Sequence, residues 1–127
     1  MSIAGIGTDI VDTQRIGRLV ERHGDRLPGR ILTARELAQY ARSGDAAAFV
    51  ARRFAAKEAA AKALGTGMAR GVRFGDIQID HDARGRPKLE LFGSAHSHAA
   101  TLGVSEHHLS ISDEQYAAIA FVVLWAG

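Results

Sequence analysis

The chain opens with a short apolar stretch and then changes to a helical period. Residues 2–11 combine isoleucine and valine with Gly5 and Gly7, and these glycines disfavour a helix, so we predict a strand there. Asp12 is a favourable N-cap residue. In residues 13–23 the apolar positions recur every three or four residues, which predicts an amphipathic helix.

The centre of the chain is rich in helix formers. Thr33 and Glu36 have the spacing of a capping box, which predicts a helix over residues 34–42. Asp45 is placed to cap a longer helix, whose alanine-rich body favours helical structure. We expect this helix to end at Gly65, because glycine is common immediately after the last helical turn.

The last third of the chain predicts strands and one short helix. Alternating apolar residues on either side of a turn at residues 82–85 indicate a hairpin, and residues 94–102 are predicted to be helical. A final strand pair is predicted at residues 107–112 and 116–125, around a tight turn. Because its second strand is apolar on both faces, we expect it to be central.

This order of elements predicts an α+β fold, mostly antiparallel sheet packed with a long central helix. The 127 residues are 46% hydrophobic and 24% charged, which is ordinary for one globular domain, so we expect a single domain over residues 1–127. Neither a long apolar run nor a signal-peptide pattern occurs, so we expect a cytoplasmic protein. Without cysteine, any metal must be held by oxygen or imidazole.

The opening glycines look like the start of a dinucleotide-binding fingerprint. That motif requires a third glycine where this chain has Ile10, and a helix opening directly from the glycines. Asp9 would also repel a phosphate unless a cation lay between them, as Mg²⁺ does when it binds carboxylates and phosphate together. From the residues alone, Asp9 is either such a ligand or a local hydrogen-bonding residue.

Glu58 and Lys62 lie four residues apart in the long predicted helix. Such a pair is commonly a solvated surface ion pair. The surrounding alanines favour a helix packed on more than one side. Buried charges need partners, and a metal ion for Glu58 and a phosphate for Lys62 would supply them.

Two polar surfaces complete the candidate chemistry. In the predicted strand, His108 and Ser110 point to one face, either towards solvent or as hydrogen-bond donors to a phosphate or a pantetheine-like chain. Arg15, Arg18 and Arg22 form a stripe on the first helix, either a solvated face or a surface for an acidic partner. The histidine spacing does not favour zinc, and a serine hydrolase elbow is absent.

Four stretches together resemble one family across nearly the whole chain. They are GIGTDIVDTQRI, RFAAKEAAAKALGTG, GVRFGDIQI with the GRPKLEL hairpin, and HLSIS. In this order they resemble holo-acyl-carrier-protein synthase, the small bacterial type of phosphopantetheinyl transferase. The resemblance implies transfer of 4'-phosphopantetheine from coenzyme A to a serine of apo acyl carrier protein, in support of fatty acid biosynthesis. The other product would be adenosine 3',5'-bisphosphate.

The resemblance also implies roles for particular residues. Asp9 and Glu58 match magnesium ligands, and Glu58 and Lys62 match catalytic positions. Positions expected to bind coenzyme A are Arg53, Lys62, Gly65, His108 and Ser110. Arg15, Arg18 and Arg22 are expected to dock the acidic carrier protein. The family is usually a homotrimer with active sites between subunits, so the HLSIS strand and the KEA helix of one site would come from different chains.

One position departs from the family pattern. Many members carry a second histidine after the HLSIS-like stretch, where this chain has Asp113. Asp113 either takes part in proton transfer or begins the turn. Three alternatives therefore stay open for the group that accepts the serine proton: Glu58, a metal-bound water and Asp113. The alternative functions are a nucleotide or RNA-binding module, which the pI of about 9.4 suggests, and a purely structural trimer. An RNA-binding module would be expected to carry more strand aromatics.

Overall fold

The computed structural model describes residues 1–127 as five helices and five strands, with a short 3-10 helix at Phe74–Asp76. The elements in chain order are β1 Ser2–Asp12, α1 Thr13–His23, α2 Arg26–Ile31, α3 Ala34–Tyr40, α4 Ala46–Ala63, β2 Ile77–His81, β3 Pro87–Leu91, α5 Gly93–Thr101, β4 Val104–Glu114 and β5 Ala117–Ala126.

The strands form two antiparallel sheets. β5 lies between β1 and β4 in a three-stranded sheet, while β2 and β3 form a separate hairpin. The predicted central place of the last strand is therefore confirmed. So is the α+β class, because the long helix α4 packs against β1 and β5. The buried apolar side chains, many of them alanines of α4, form one cluster of 25 residues.

The predicted helix starts are confirmed by their caps. Asp12 accepts from the backbone of the first turn of α1. Thr33 and Glu36 form a capping box for α3, and Asp45 accepts from Ala48 at the start of α4. Gly65 follows the end of α4 with φ 80°, a left-handed conformation that suits glycine.

The structure departs from the sequence prediction most clearly at α2 and β4. The sequence predicts no helix around Pro28, yet α2 forms there, because a proline in the first turn removes no intrahelical hydrogen bond. β4 continues to Glu114, so the turn is shorter than predicted. Asp113 is therefore a strand residue and does not begin the turn. None of the helices is both long and apolar enough to cross a membrane.

β1 approaches α4 more closely than any side chain would permit. A Cβ atom built on Gly5 would lie 1.9 Å from the carbonyl oxygen of Ala63, and one on Gly7 would lie 2.0 Å from that of Ala59. Both obstacles are main-chain atoms of the packed helix α4. The two glycines of the opening stretch are thus required by packing between a strand and a helix.

We expect Gly7→Ala to lower the free energy of unfolding by about 3 kcal/mol or more, at the upper end of overpacking costs, because the helix backbone cannot yield as a side chain can. Urea denaturation measures the change. The matched control is Gly29→Ala in α2, where an added Cβ meets nothing within 4 Å and helix propensity improves. A Gly7→Ala protein as stable as this control would contradict the packing argument.

Candidate active site

Asp9, Glu58 and Lys62 come together where β1 meets α4. Lys62 Nζ lies 3.0 Å from Asp9 Oδ1 and donates to the Thr8 carbonyl oxygen at 3.0 Å. The Asp9 side chain is 16% exposed and that of Lys62 is 50% exposed. The lysine head is therefore open to solvent and to a ligand, while the aspartate is held at the base of the cluster.

The glycine contacts explain why Asp9 reaches this place. Gly5 lies on Ala63 and Gly7 on Ala59, so β1 runs antiparallel to α4. Two strand residues span nearly the same length as one helical turn. Asp9, the next residue on this face of β1, therefore lies beside the turn of α4 that ends at Glu58.

Glu58 is half-buried in an environment that disfavours its charge. Burial raises its pKa from the ordinary value of 4.5, the negative charge of Asp9 raises it further, and Lys62 opposes the change. Two neighbouring carboxylates that repel each other are stabilised when a cation binds between them.

The donor set fits magnesium better than zinc. The structure contains no group of three or more histidine and acidic side chains that could hold an ion. Mg²⁺ is typically bound by one or two carboxylates and completes its shell with water and substrate phosphate oxygens. Asp9 and Glu58 supply that number of carboxylates, and they would be the residues that hold the ion.

His108 and Ser110 lie on the opposite face of the sheet. On β5, Ser110 is paired with Phe121 and His108 with Val123, whereas Asp9 is paired with the buried Ala120. Side chains of directly paired residues share a face, and neighbouring positions alternate. The structure therefore does not bring these two residues to the Asp9 cluster within one chain, because the sheet lies between them.

The face that carries His108 and Ser110 is largely apolar and uncovered. Four large side chains there are between 43% and 68% exposed: Ile6, Ile10, Ile119 and Phe121. The register sets Ile10 directly beside Ile119 across the β1–β5 pair, so the exposed side chains are contiguous. We name this surface the outer sheet face. A contiguous apolar patch of this kind marks an interaction surface.

A groove of about 560 Å³ runs between the β2–β3 hairpin and β4. It is lined by Arg86, Pro87, Lys88, Leu89, Glu106, His107, His108 and Leu109. Of these residues only His108 was predicted to bind coenzyme A. The two basic residues in GRPKLEL could have indicated this groove, but that stretch was used only to predict a hairpin.

Arg53 does not lie with Glu58. It is 4% exposed, and its guanidinium is 3.6 Å from Glu36 and 3.2 Å from Gln39. Five residues separate positions 53 and 58, which places them about 140° apart around the helix. Arg53 therefore faces Glu36 rather than the Asp9 cluster, and its role in binding coenzyme A stays a prediction.

The sequence did not reveal a second ionic cluster, formed by Glu36 and Lys57. Lys57 Nζ is 2.6 Å from Glu36 Oε1, and both side chains are 0% exposed. Burial lowers the pKa of Lys57, and the charge of Glu36 opposes that change. The capping-box pattern identified Glu36, but no sequence spacing connects it to a lysine 21 residues away.

Asp113 is engaged by a neighbouring helix. Its Oδ2 atom lies 3.1 Å from Arg52 Nη1 of α4. It therefore points to the α4 side of the sheet, away from His108 and Ser110 on the same strand. Gly65 is exposed and follows Lys62 by three residues, and its role in binding coenzyme A stays a prediction.

The arginine stripe is exposed along α1. Arg15, Arg18 and Arg22 are all solvent-accessible, and Arg15 also borders a pocket of about 300 Å³. The lining of that pocket is mainly apolar and includes Ile16, Leu19, Leu27, Ile31 and Phe54, with Asp9 at its edge. A basic surface and an apolar pocket thus adjoin the Asp9 cluster.

Comparison with known proteins identifies the family. The family model of the 4'-phosphopantetheinyl transferase superfamily matches residues 5–122. The chain is 61% identical over 123 residues to a holo-[acyl-carrier-protein] synthase of Alkalilimnicola ehrlichii, covering 96% of each. It is 55% identical to one of Halorhodospira halophila, covering 98% of this chain and 99% of that one.

Solved structures agree. The holo-[acyl-carrier-protein] synthase of Neisseria meningitidis superposes with a TM-score of 0.89 at 47% identity, covering 97% of this chain and 98% of that one. That of Helicobacter pylori, solved in complex with coenzyme A, gives 0.82 at 30% identity, covering 94% and 99%. The chain therefore belongs to the 4'-phosphopantetheinyl transferase superfamily and, within it, to the holo-[acyl-carrier-protein] synthases.

This membership confirms the resemblance carried by the four motifs. It favours the transferase over the RNA-binding module and the purely structural trimer. The roles of individual residues stay predictions.

We expect Glu58→Gln to raise the melting temperature of the metal-free protein at pH 7.5. Because folding raises the pKa of Glu58, the folded state holds the carboxyl proton more tightly than the unfolded state does. The free energy of unfolding therefore falls as the pH rises above the ordinary glutamate pKa of 4.5. Glutamine carries no charge at any of these pH values, so the variant does not lose stability in this way. Its higher melting temperature should disappear near pH 4, where Glu58 of the wild type is itself protonated. Melting curves recorded with a chelator test this. A Glu58→Gln protein that is less stable than wild type at pH 7.5 would contradict the assignment.

Proposed function

We propose that this chain transfers 4'-phosphopantetheine from coenzyme A to a serine hydroxyl of apo acyl carrier protein, releasing adenosine 3',5'-bisphosphate. The observation that carries the proposal is the Asp9, Glu58 and Lys62 cluster, which combines two carboxylates with a half-exposed lysine. Its family supports the same activity. A role in fatty acid biosynthesis and a cytoplasmic location stay predictions of the sequence.

To catalyse phosphoryl transfer, a protein mainly has to position the reacting groups and stabilise the charge on the phosphates. When bound, magnesium would neutralise charge on the pyrophosphate of coenzyme A. Lys62 is placed to add a positive charge, because its ammonium group is half-exposed and a phosphate oxygen can replace its contact with Asp9. Thr8 anchors this lysine from the other side through its carbonyl oxygen.

The serine hydroxyl must lose a proton as it attacks the phosphorus. We propose Glu58 as the acceptor. A carboxylate has two oxygens, so one oxygen of Glu58 can accept the proton while the other holds the metal ion. Asp113 is less suitable, because one of its oxygens already accepts from Arg52.

We further propose that the working unit is a homotrimer with active sites between subunits. The outer sheet face supplies an apolar surface for association, and it carries His108 and Ser110. Within one chain the sheet separates these residues from Asp9, so only a neighbouring chain can combine the two halves. The groove beside β4, with Arg86, Lys88 and His108, would then hold the nucleotide end of coenzyme A.

The carrier protein would dock beside α1. Arg15, Arg18 and Arg22 are exposed and suit an acidic surface. The adjoining pocket, bordered by Asp9 and Phe54, would take an apolar side chain of the carrier. Docking there places the carrier serine near Glu58.

We expect the wild-type protein to convert apo to holo carrier protein only when coenzyme A and Mg²⁺ are both present, seen as a mass gain on the carrier. Asp9→Ala and Glu58→Ala should each lower the rate by about a hundredfold or more, because each removes a carboxylate that would hold the magnesium ion. The control is Glu90→Ala, an exposed acid on β3 outside the cluster. No mass gain with the wild-type chain would refute the proposed function.

We expect co-expression of two inactive chains to restore activity if the site lies between subunits. One chain carries Glu58→Ala and the other His108→Ala/Ser110→Ala. An active interface needs an intact Asp9–Glu58 pair from one chain and an intact His108–Ser110 pair from its neighbour. In randomly mixed cyclic oligomers about a quarter of the interfaces meet this requirement, so about a quarter of the wild-type rate should return.

The control pair is Asp9→Ala with Glu58→Ala. Both changes lie in the carboxylate half of the site, so neither chain supplies an intact Asp9–Glu58 pair and activity should stay absent. Restoration by the control pair, or none by the test pair, would overturn the arrangement between subunits.

A further inference from the structure

The buried Glu36 and Lys57 side chains tie four elements to α4. Lys57 Nζ donates to the carbonyl oxygens of Ile31 at 2.6 Å and Phe74 at 3.1 Å, and to Glu36. All three ammonium protons therefore have acceptors. These come from the end of α2, the start of the 3-10 helix, and α3.

Glu36 is equally well satisfied. Its Oε1 accepts from the Thr33 backbone at 2.8 Å as well as from Lys57. Its Oε2 accepts from the Ile79 backbone at 2.9 Å in β2. The pair is thus a fixed connection between α4 and the layer formed by α2, α3 and β2.

The Glu36–Lys57 ion pair holds α4 at the turn that carries Glu58. Lys57 directly precedes Glu58, and Ala59, whose carbonyl faces Gly7, directly follows it. Residues 57 and 59 lie about 200° apart around a helix, so they contact nearly opposite sides of it. Glu58 projects between the two contacts, and neither rotation nor sliding of this turn is possible without breaking one of them.

We propose that Glu36 and Lys57 are positioning residues that hold the Glu58 turn of α4 against Asp9. This inference rests on the proposed function insofar as Asp9 and Glu58 bind the metal. The glycine contact fixes the turn from the β1 side, and the buried ion pair fixes it from the opposite side. Without the Glu36–Lys57 ion pair, this turn of α4 is held only by its glycine contact with β1. Asp9 and Glu58 would then no longer be fixed relative to each other.

The test measures metal binding directly. Mn²⁺ replaces Mg²⁺, and its binding to the protein without coenzyme A is followed by electron paramagnetic resonance. We expect Lys57→Met to weaken Mn²⁺ binding by about tenfold or more, as losses of supporting contacts do at other metal sites. In the transfer assay the Mg²⁺ requirement should rise by a similar factor. KM for coenzyme A should change by less than about twofold, because the Lys57 side chain is 0% exposed and out of reach of a bound substrate.

A second variant separates positioning from loss of fold. Lys57→Met leaves the Glu36 carboxylate buried without its main partner, so the measurement is repeated on Glu36→Gln/Lys57→Met, which keeps neither charge. The control is Ala99→Gly, which lowers the melting temperature from a buried place in α5, a helix that packs on the 3-10 helix and β4. We expect the double variant to show the same weakening and the control to bind Mn²⁺ as wild type does.

Unchanged Mn²⁺ affinity in either folded variant, or a loss no greater than in Ala99→Gly, overturns the inference. So does a wild-type chain that binds no Mn²⁺. A wild-type chain that binds Mn²⁺ but transfers nothing would refute the proposed function alone, because the binding comparison does not depend on transfer.

Discussion

The close contact between β1 and α4 is the constraint on which the rest of this structure depends. Gly5 and Gly7 bring the strand so near to the helix that an added Cβ would lie 1.9–2.0 Å from a helix carbonyl oxygen. That distance sets Asp9 beside Glu58 and lets Lys62 reach both Asp9 and the Thr8 backbone. A larger residue would push the strand outward and separate the carboxylates. Under the proposed function, the glycines would thus serve the phosphate chemistry by placing Asp9 beside Glu58.

The three-stranded sheet divides the predicted site residues into two sets. One face packs on α4 and carries Asp9, while the other carries His108 and Ser110 among exposed apolar side chains. A single chain cannot close a site through its own sheet. Association through the outer sheet face would bury the exposed isoleucines and join the two sets in one step. Stability and catalysis would then depend on the same interface.

The sequence predicted most of the fold, because its signals are local. Caps at Asp12, Thr33 and Asp45 mark helix starts, and the apolar character of β5 indicates its central place. It also named the two carboxylates and Lys62, because the motifs that carry them are specific. What it could not predict depends on contacts between distant segments. Glu36 of α3 contacts Arg53 and Lys57 of α4, and no spacing in the sequence relates Glu36 to either residue.

The Glu36 and Lys57 pair illustrates why such contacts persist. Burying two charges is costly, and apolar replacements of similar volume are often as stable or more so, so stability alone is a weak reason to retain a buried ion pair. An apolar pair, however, would constrain direction poorly. Lys57 and Glu36 make five hydrogen bonds of fixed geometry, one to each other and four to backbone groups. A helix that must present one carboxylate to another on a neighbouring strand needs such directional contacts. The ion pair therefore makes sense as a device for geometry, placed beside the residue whose position matters most.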